Sequence, residues 1–158
     1  MIDFIGEYEV TLDTKGRFLF PAGFKKQLPD GVASQFIINR GIEKCLTLYP
    51  IEVWTPLFEK IKKLNDFDPK VREFKRLFLN GANQVEMDSA GRFLIPKGHI
   101  EFAELGKDVV LLAGGDKIEI WDRSKYKEFF ESFSPEYYSK LANDVMNKPS
   151  STWSPFNN

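Results

Sequence analysis

The first strongly patterned stretch of the chain alternates apolar and polar residues as a half-buried strand does. Val10 and Leu12 alternate with Glu9 and Thr11, and the sequence Asp13-Thr-Lys-Gly follows directly. Asp is favoured at the first position of a type I turn and Gly at the last, where φ is positive. The pattern therefore predicts two strands joined by a tight turn.

The same pattern returns 75 residues later in the chain. Residues 6–23 match residues 81–98 without a gap, and nine of the eighteen positions are identical. A weaker similarity continues from residues 36–49 to residues 109–121. Each unit is therefore predicted to contain a strand, a turn, a second strand, a short helix, a hairpin and further helices, in that order. The identical pairs are Gly6/Gly81, Val10/Val85, Asp13/Asp88, Gly16/Gly91, Arg17/Arg92, Phe18/Phe93, Leu19/Leu94, Pro21/Pro96 and Gly23/Gly98.

A strand–turn–strand–helix unit of about 20 residues is too small to bury a core alone. We therefore expect the two copies to pack against each other as a pseudo-twofold dimer within one polypeptide, in an α/β protein of the α+β type. The expected organisation is a first repeat with its trailing helices at 1–79 and a second at 80–148. The segment 149–158 has the composition of a mobile tail.

Helix signals follow each strand pair. Pro21 and Pro96 are expected to open short helices that Pro29 and Gly106 close. Longer helices with one apolar face are predicted over Pro50–Leu64, over Lys70–Leu79 behind an Asp68 cap, over the Tyr126–Phe133 stripe, and from Ser134-Pro135 onward.

Charge and cysteine content limit the chemistry. The net charge is −1, with +2 in residues 1–80 and −3 in residues 81–158, so a polyanionic partner needs a local basic patch. One cysteine, Cys45, and one histidine, His99, give neither an internal disulfide nor a His-rich zinc site, and no cofactor or small-molecule ligand is expected. No apolar run has the ~20 residues of a membrane span, which predicts a cytoplasmic protein without a membrane partner.

Three further features have both a functional and a purely structural interpretation. Cys45 and His99 could form a nucleophile–base pair, although the strand-like alternation around Cys45 favours a buried thiol. Gly114-Gly115 lacks the spacing of a phosphate-binding loop and favours a hairpin turn. A cationic stretch could contact phosphate, but such residues on helices are more often a solvated face; its members are Lys60, Lys62, Lys63, Lys70, Arg72, Lys75 and Arg76.

Turn geometry explains Asp13, Gly16, Asp88 and Gly91, but it does not explain the arginines that follow. Arg17 and Arg92 could pair with the aspartate across the turn, or project a donor fork toward phosphate or a guanine edge. Both interpretations hold together if the carboxylate orients the arginine.

The tips of the two turns differ in charge. Lys15 adds a second cation to the first turn, whereas the second turn has Ala90 at that position. The first copy is therefore the better candidate for a DNA contact.

These motifs resemble the MraZ family, bacterial regulators associated with the division and cell-wall gene cluster and related to the AbrB-like swapped-hairpin transcription factors. The resemblance covers Phe4 to Val145. It rests on Asp13-Thr-Lys-Gly-Arg17 and Asp88-Ser-Ala-Gly-Arg92, each followed by an apolar strand and Pro, and on Cys-Leu-Thr-Leu-Tyr-Pro at 45–50, Trp54 and Glu119-Ile-Trp.

The resemblance implies tandem AbrB-like repeats with a β-barrel core flanked by helices, assembled into a homo-oligomeric ring. Such a ring binds short direct repeats of double-stranded DNA in its own promoter, usually represses transcription and is associated with the nucleoid. The DNA-binding residues it implies are Asp13, Lys15, Gly16 and Arg17 in the first turn and Asp88 and Arg92 in the second, where Gly91 also matches the motif. Ala90 departs from this motif, because the second turn has no lysine at the position of Lys15.

A second function stays open on the residues alone. The chain could be an oligomeric scaffold for other proteins, with Asp13–Arg17 and Asp88–Arg92 as structural ion pairs. An enzyme is a distant third, because no nucleophile–base set, metal cluster or phosphate loop stands out.

Overall fold

The computed structural model describes residues 1–31 and 34–147, so the predicted tail at 149–158 lies outside the described residues. The chain divides into two compact units, Met1–Arg123 and Ser124–Asn158. The strands of both sequence repeats lie in the first unit.

The elements follow the same order in both repeats. The first repeat contains β1 (Glu7–Thr11), β2 (Arg17–Leu19), α1 (Ala22–Lys25), β3 (Gln35–Arg40), β4 (Leu46–Pro50), α2 (Ile51–Lys62) and α3 (Pro69–Leu79). The second contains β5 (Asn83–Glu86), β6 (Arg92–Leu94), α4 (Lys97–Phe102), β7 (Asp108–Ala113), β8 (Ile118–Asp122), α5 (Arg123–Glu131) and α6 (Pro135–Met146). The predicted mixed α+β repeat architecture is confirmed.

The strands on either side of each turn pair with the other repeat, not with each other. β1 pairs with β7 and β5 pairs with β3, while β2 and β6 form a separate antiparallel ribbon. The six-stranded sheet has the order β1-β7-β8-β4-β3-β5. The predicted order of strand, tight turn and strand is confirmed at Asp13 and Asp88, and each turn leads the chain from the sheet into the ribbon.

Because of this exchange, the two repeats are related by pseudo-twofold symmetry within the first unit. Phe18 pairs with Phe93, its own equivalent, at the centre of the ribbon, and Thr47 pairs with Glu119 where β4 meets β8. The β1–β7 pairing has its counterpart in β5–β3, with Val10 opposite Val109 and Val85 opposite Phe36. The predicted packing of one copy against the other is thus built from backbone hydrogen bonds.

Both sheets contribute to one hydrophobic core. Phe18 and Phe93 of the ribbon are each 1 % exposed and lie in the same cluster as Phe36, Leu46 and Ile120 of the six-stranded sheet. Phe93 meets Phe36 edge-on at a ring-centroid distance of 4.9 Å. The ribbon is therefore fixed by its buried face, and its other face is directed away from the core.

The opposite face of β3 and β4 is covered by α2 and α3. Ile37, Tyr49 and Trp54 form a second buried cluster, and Trp54 stacks on Phe58 and Phe78 with ring centroids 6.0 and 5.8 Å apart. Because both faces of β3 are buried, three apolar residues, Phe36, Ile37 and Ile38, follow one another in it rather than alternating with polar ones.

The helix predictions are largely confirmed, with limits that differ by a few residues. Asp68 caps α3 by accepting a hydrogen bond from Lys70 N at 2.9 Å. Pro21 and Pro96 take the cap position with extended ψ, and α1 and α4 end at Lys25 and Phe102, well before Pro29 and Gly106. The predicted closures are therefore wrong. After α4, Glu104 adopts a left-handed φ of 52°, which ends the helix without Gly106.

The second unit contains most of α5 and all of α6. Its predicted aromatic stripe is present, with Tyr126 against Phe130 at 4.5 Å and Phe133 stacked on Tyr137 at 5.4 Å between ring centroids. Ser134 caps α6 by accepting a hydrogen bond from Tyr137 N. Several large apolar side chains of this unit stay exposed; they are Phe130, Phe133, Tyr137, Tyr138, Leu141, Val145 and Met146.

Candidate nucleic-acid interface

The two turns lie at opposite ends of the β2–β6 ribbon. The carbonyl of Gly16 accepts a hydrogen bond from Ile95 N, and the carbonyl of Gly91 accepts one from Phe20 N, both at 2.9 Å. Each turn is therefore held by the ribbon strand of the other repeat. Gly16 and Gly91 have φ values of +86° and +82°, which suit glycine and are costly for other residues.

In the first turn, the Asp13 carboxylate organises the whole loop. Its Oδ1 accepts hydrogen bonds from the backbone amides of Lys15 and Arg17, each at 2.9 Å. Its Oδ2 accepts one from Arg17 Nε at 2.7 Å. The contact with Asp13 thus uses the inner nitrogen of the guanidinium and leaves its two terminal amino groups outside the pair.

The second turn reproduces this geometry with small differences. Asp88 Oδ1 accepts from Ala90 N at 3.0 Å and from Arg92 N at 2.8 Å, and Oδ2 accepts from Arg92 Nε at 3.0 Å. The side chain of Arg92 is 38 % exposed, against 29 % for Arg17. The predicted pairing of each arginine with the aspartate of its turn is confirmed in both copies.

These hydrogen bonds hold both aspartates in the charged form. The backbone amide and the guanidinium of Arg17, with the amide of Lys15, lower the pKa of Asp13 from 3.8 to about 2. The backbone amide of Arg92 and its side chain lower the pKa of Asp88 in the same direction. Each turn is therefore a fixed carboxylate–guanidinium pair at neutral pH.

The ribbon presents one face to solvent, which we call the ribbon face. Since Phe18 and Phe93 point inward, Arg17, Leu19, Arg92 and Leu94 share the outer face. Leu19 is 60 % exposed and Leu94 is 53 % exposed. The ribbon face thus carries two oriented guanidinium groups and two apolar side chains.

Lysines that no sequence motif marks lie beside the turns in addition to Lys15; they are Lys25, Lys97 and Lys107. A Cβ placed on Gly91 would lie 3.8 Å from Lys25 Nζ, so α1 of the first repeat brings a cation to the second turn. Beside the first turn, a groove of about 900 Å³ contains Lys15, Lys97 and Lys107. No local signal marks Lys25, because its position follows from the exchange of strands between repeats.

The cationic stretch on α2 and α3 is partly engaged within the helices. Lys75 Nζ contacts Asp66 Oδ1 at 2.5 Å and also donates to the carbonyl of Leu64 at 3.1 Å. Lys62 pairs with Glu59 at 3.0 Å. These contacts neutralise part of the stretch and favour the interpretation as a solvated face over a phosphate-binding one.

Cys45 and His99 are both buried and occupy structural positions. Cys45 is 1 % exposed, and burial raises the pKa of its thiol to about 12, so it is protonated at neutral pH. His99 is 3 % exposed and donates from Nε2 to the carbonyl of Gly81 at 2.5 Å, while burial lowers its pKa. The expectation of a buried thiol is confirmed.

Over residues 1–31 and 34–147, no group of three or more His, Cys, Asp or Glu side chains is arranged to hold a metal ion. In the same part of the chain, no helix has the length and apolar character needed to cross a bilayer.

Two strand–turn–strand repeats that exchange strands around a shared ribbon define a tandem-repeat α+β protein with paired arginine-bearing turns. Residues 4–77 and 78–147 each match the family described as "MraZ protein, putative antitoxin-like". The chain belongs to the MraZ family, as its sequence motifs indicate.

The chain is also similar to curated proteins along most of its length. It is 41 % identical over 147 residues to "Transcriptional regulator MraZ" of Christiangramia forsetii, which covers 92 % of this chain and 94 % of the relative. Proteins of the same name from Cytophaga hutchinsonii and Clostridium acetobutylicum are 40 % and 41 % identical. These matches cover 85 % and 82 % of this chain, and 89 % and 88 % of the relatives.

Proposed function

We propose that the protein is a sequence-specific DNA-binding transcriptional regulator that acts through the ribbon face and its two turns. The observation that carries this proposal is the placement of Arg17 and Arg92 on one outward surface, each oriented by an aspartate. The relatives named as transcriptional regulators support the same class of function. Those names describe a regulator and give no support to an enzyme.

The chemistry of the turns suits a DNA ligand. A guanidinium held through Nε keeps its terminal amino groups for a phosphate or for O6 and N7 of guanine. Glycine at the turn position next to each arginine lets the backbone approach the duplex closely. We assign Asp13 and Asp88 as positioning residues, Gly16 as the turn former, and Lys15, Arg17 and Arg92 as DNA contacts.

We further propose that the active form is a homo-oligomeric ring that binds short direct repeats in its own promoter and represses the division and cell-wall gene cluster. A ring presents the ribbon face several times, so weak contacts to tandem repeats add through effective concentration. The exposed apolar side chains of α5 and α6, such as Tyr138 and Val145, support self-association. This mode of binding is compatible with a net charge of −1.

The test is fluorescence anisotropy of the protein on its own upstream DNA and on a scrambled duplex, at several salt concentrations. Arg17→Ala is compared with Arg76→Ala, a matched arginine on α3, and the mass of each variant is measured by size exclusion. We expect the wild type and Arg76→Ala to prefer the upstream DNA, and Arg17→Ala to lose that preference in an intact oligomer. Equal binding of both duplexes by the wild type would contradict the proposal.

A scaffold remains the second candidate, because the predicted ion pairs are present in both turns. If the protein is a scaffold, the same experiment should give the opposite outcome. Arg17→Ala would then break the oligomer or lower its stability, and the wild type would show no preference among DNA sequences.

A further inference from the structure

The ribbon face exposes a leucine at the same position of each repeat. Leu19 and Leu94 are separated by the repeat offset and are 60 % and 53 % exposed. Other residues shared by the two turns have a visible structural role: Asp13 caps its turn, Gly16 has a positive φ, and Phe18 is in the core. Leu19 Cδ1 lies near Gly91 of the second turn, but packing in the core gives no reason for a leucine that is more than half exposed in both copies.

The ribbon register places each leucine beside an arginine of the other repeat. Leu19 is opposite Arg92, and Leu94 is opposite Arg17. Since two residues along a strand span about 7 Å, the four side chains cover about two base-pair steps. A two-stranded ribbon fits the major groove, which is about 12 Å wide.

Charge favours DNA as the occupant of this surface. Its outer side chains include two arginines and no acid, with Lys25 beside the second turn. The carboxylates of the two turns, Asp13 and Asp88, are already hydrogen-bonded to arginines. In the major groove, the apolar group that a base edge offers is the C5-methyl of thymine, and arginine pairs with guanine.

We propose that Leu19 and Leu94 contact thymine methyl groups in the major groove and so determine which sequences the protein prefers. Each leucine reads a thymine next to the base that the neighbouring arginine contacts. The inference rests on the proposed DNA-binding function and adds the base-reading residues to it.

The test uses the protein's own upstream DNA, amplified once with thymidine and once with deoxyuridine triphosphate. Uracil pairs as thymine does but lacks the C5-methyl group. The proteins are the wild type, the double variant Leu19→Ala/Leu94→Ala, and Leu77→Ala as a control for an exposed leucine on α3. Affinity is measured by anisotropy, with thermal unfolding and size-exclusion mass as controls for folding and assembly.

We expect the wild type and Leu77→Ala to bind the uracil DNA more weakly, by about fourfold for each methyl group removed from the interface. The double variant should bind thymine DNA more weakly than the wild type and be indifferent to the substitution. Equal binding of both DNAs by a wild type that still rejects a scrambled duplex would overturn this inference and leave the proposed function standing.

Two other outcomes also overturn it. If the double variant senses uracil as strongly as the wild type, the leucines do not read the methyl group. If the double variant has a smaller mass, the leucines are a subunit contact instead. A wild type without any preference for upstream DNA would remove the proposed function itself.

Discussion

Phe18 of the first repeat and Phe93 of the second face each other across the ribbon, with ring centroids 5.8 Å apart. They are equivalent residues of the repeat, and both are 1 % exposed. The centre of the ribbon is therefore also the place where the two repeats share one core.

This shared core predicts that the repeats unfold together. Phe93→Ala should lower the free energy of unfolding by about 3–5 kcal/mol, the cost of removing a buried phenyl ring, in a single transition for both repeats. Urea unfolding followed by tryptophan fluorescence checks this, because Trp54 and Trp121 belong to different repeats. Phe67→Ala is the control, since Phe67 is 92 % exposed. A separate transition for each repeat would contradict the prediction.

The depressed pKa of Asp13 predicts a specific loss of stability in acid. The pKa of Asp13 is lower in the folded protein, about 2, than its ordinary value of 3.8, so ionised Asp13 stabilises the fold above about pH 4. That contribution should be lost as the pH falls from about 4 to 2. Carbon-detected NMR titration of the Asp13 carboxyl carbon measures the midpoint directly. A midpoint at or above 3.8 would show that the hydrogen bonds from Arg17 and Lys15 do not form.

The position of Lys25 predicts that it makes up for the missing lysine at the tip of the second turn. Lys25→Ala should weaken binding to all duplexes and reduce the slope of log affinity against log salt by about 0.9 for each phosphate that the protein no longer neutralises. Lys26→Ala, which removes the adjacent cation, is the matched control. Anisotropy at four salt concentrations provides the slopes, and equal slopes for the two variants would argue against a role for Lys25.

The exposed face of α6 predicts the site of self-association. Tyr138→Glu/Val145→Glu should reduce the oligomer mass measured by light scattering, because it places two charges on an apolar stripe. Affinity for DNA with tandem repeats should fall with it, while affinity for a single repeat stays unchanged. Lys140→Glu on the polar side of α6 should leave the mass as it is. Unchanged mass in the double variant would place the subunit contact elsewhere.

The sequence predicted local structure better than it predicted pairing. The Asp13 turn, its ion pair with Arg17 and the Asp68 cap depend on residues within four positions, and all three were predictable. The partner of β1 is β7, which lies about 100 residues away, and nothing in the sequence of either strand identifies the other as its partner.

The same limit applies to the candidate site. The sequence selected the two arginines because their motif is repeated. Lys25 reaches the second turn only because the ribbon crosses between repeats. The exposure of Leu19 likewise depends on which face of the ribbon is buried, and a strand of three residues is too short to show that by alternation.

The most direct test of the ribbon face is hydroxyl-radical footprinting of the protein, read by mass spectrometry. Leu19, Leu94 and Leu77 are all more than half exposed, so we expect them to oxidise at comparable rates in the free protein. With the upstream duplex bound, we expect oxidation of Leu19 and Leu94 to fall several-fold and that of Leu77 to stay unchanged. Protection of Leu77 and α3 with no change at Leu19 and Leu94 would show that DNA binds elsewhere, and would contradict the assignment of the ribbon face.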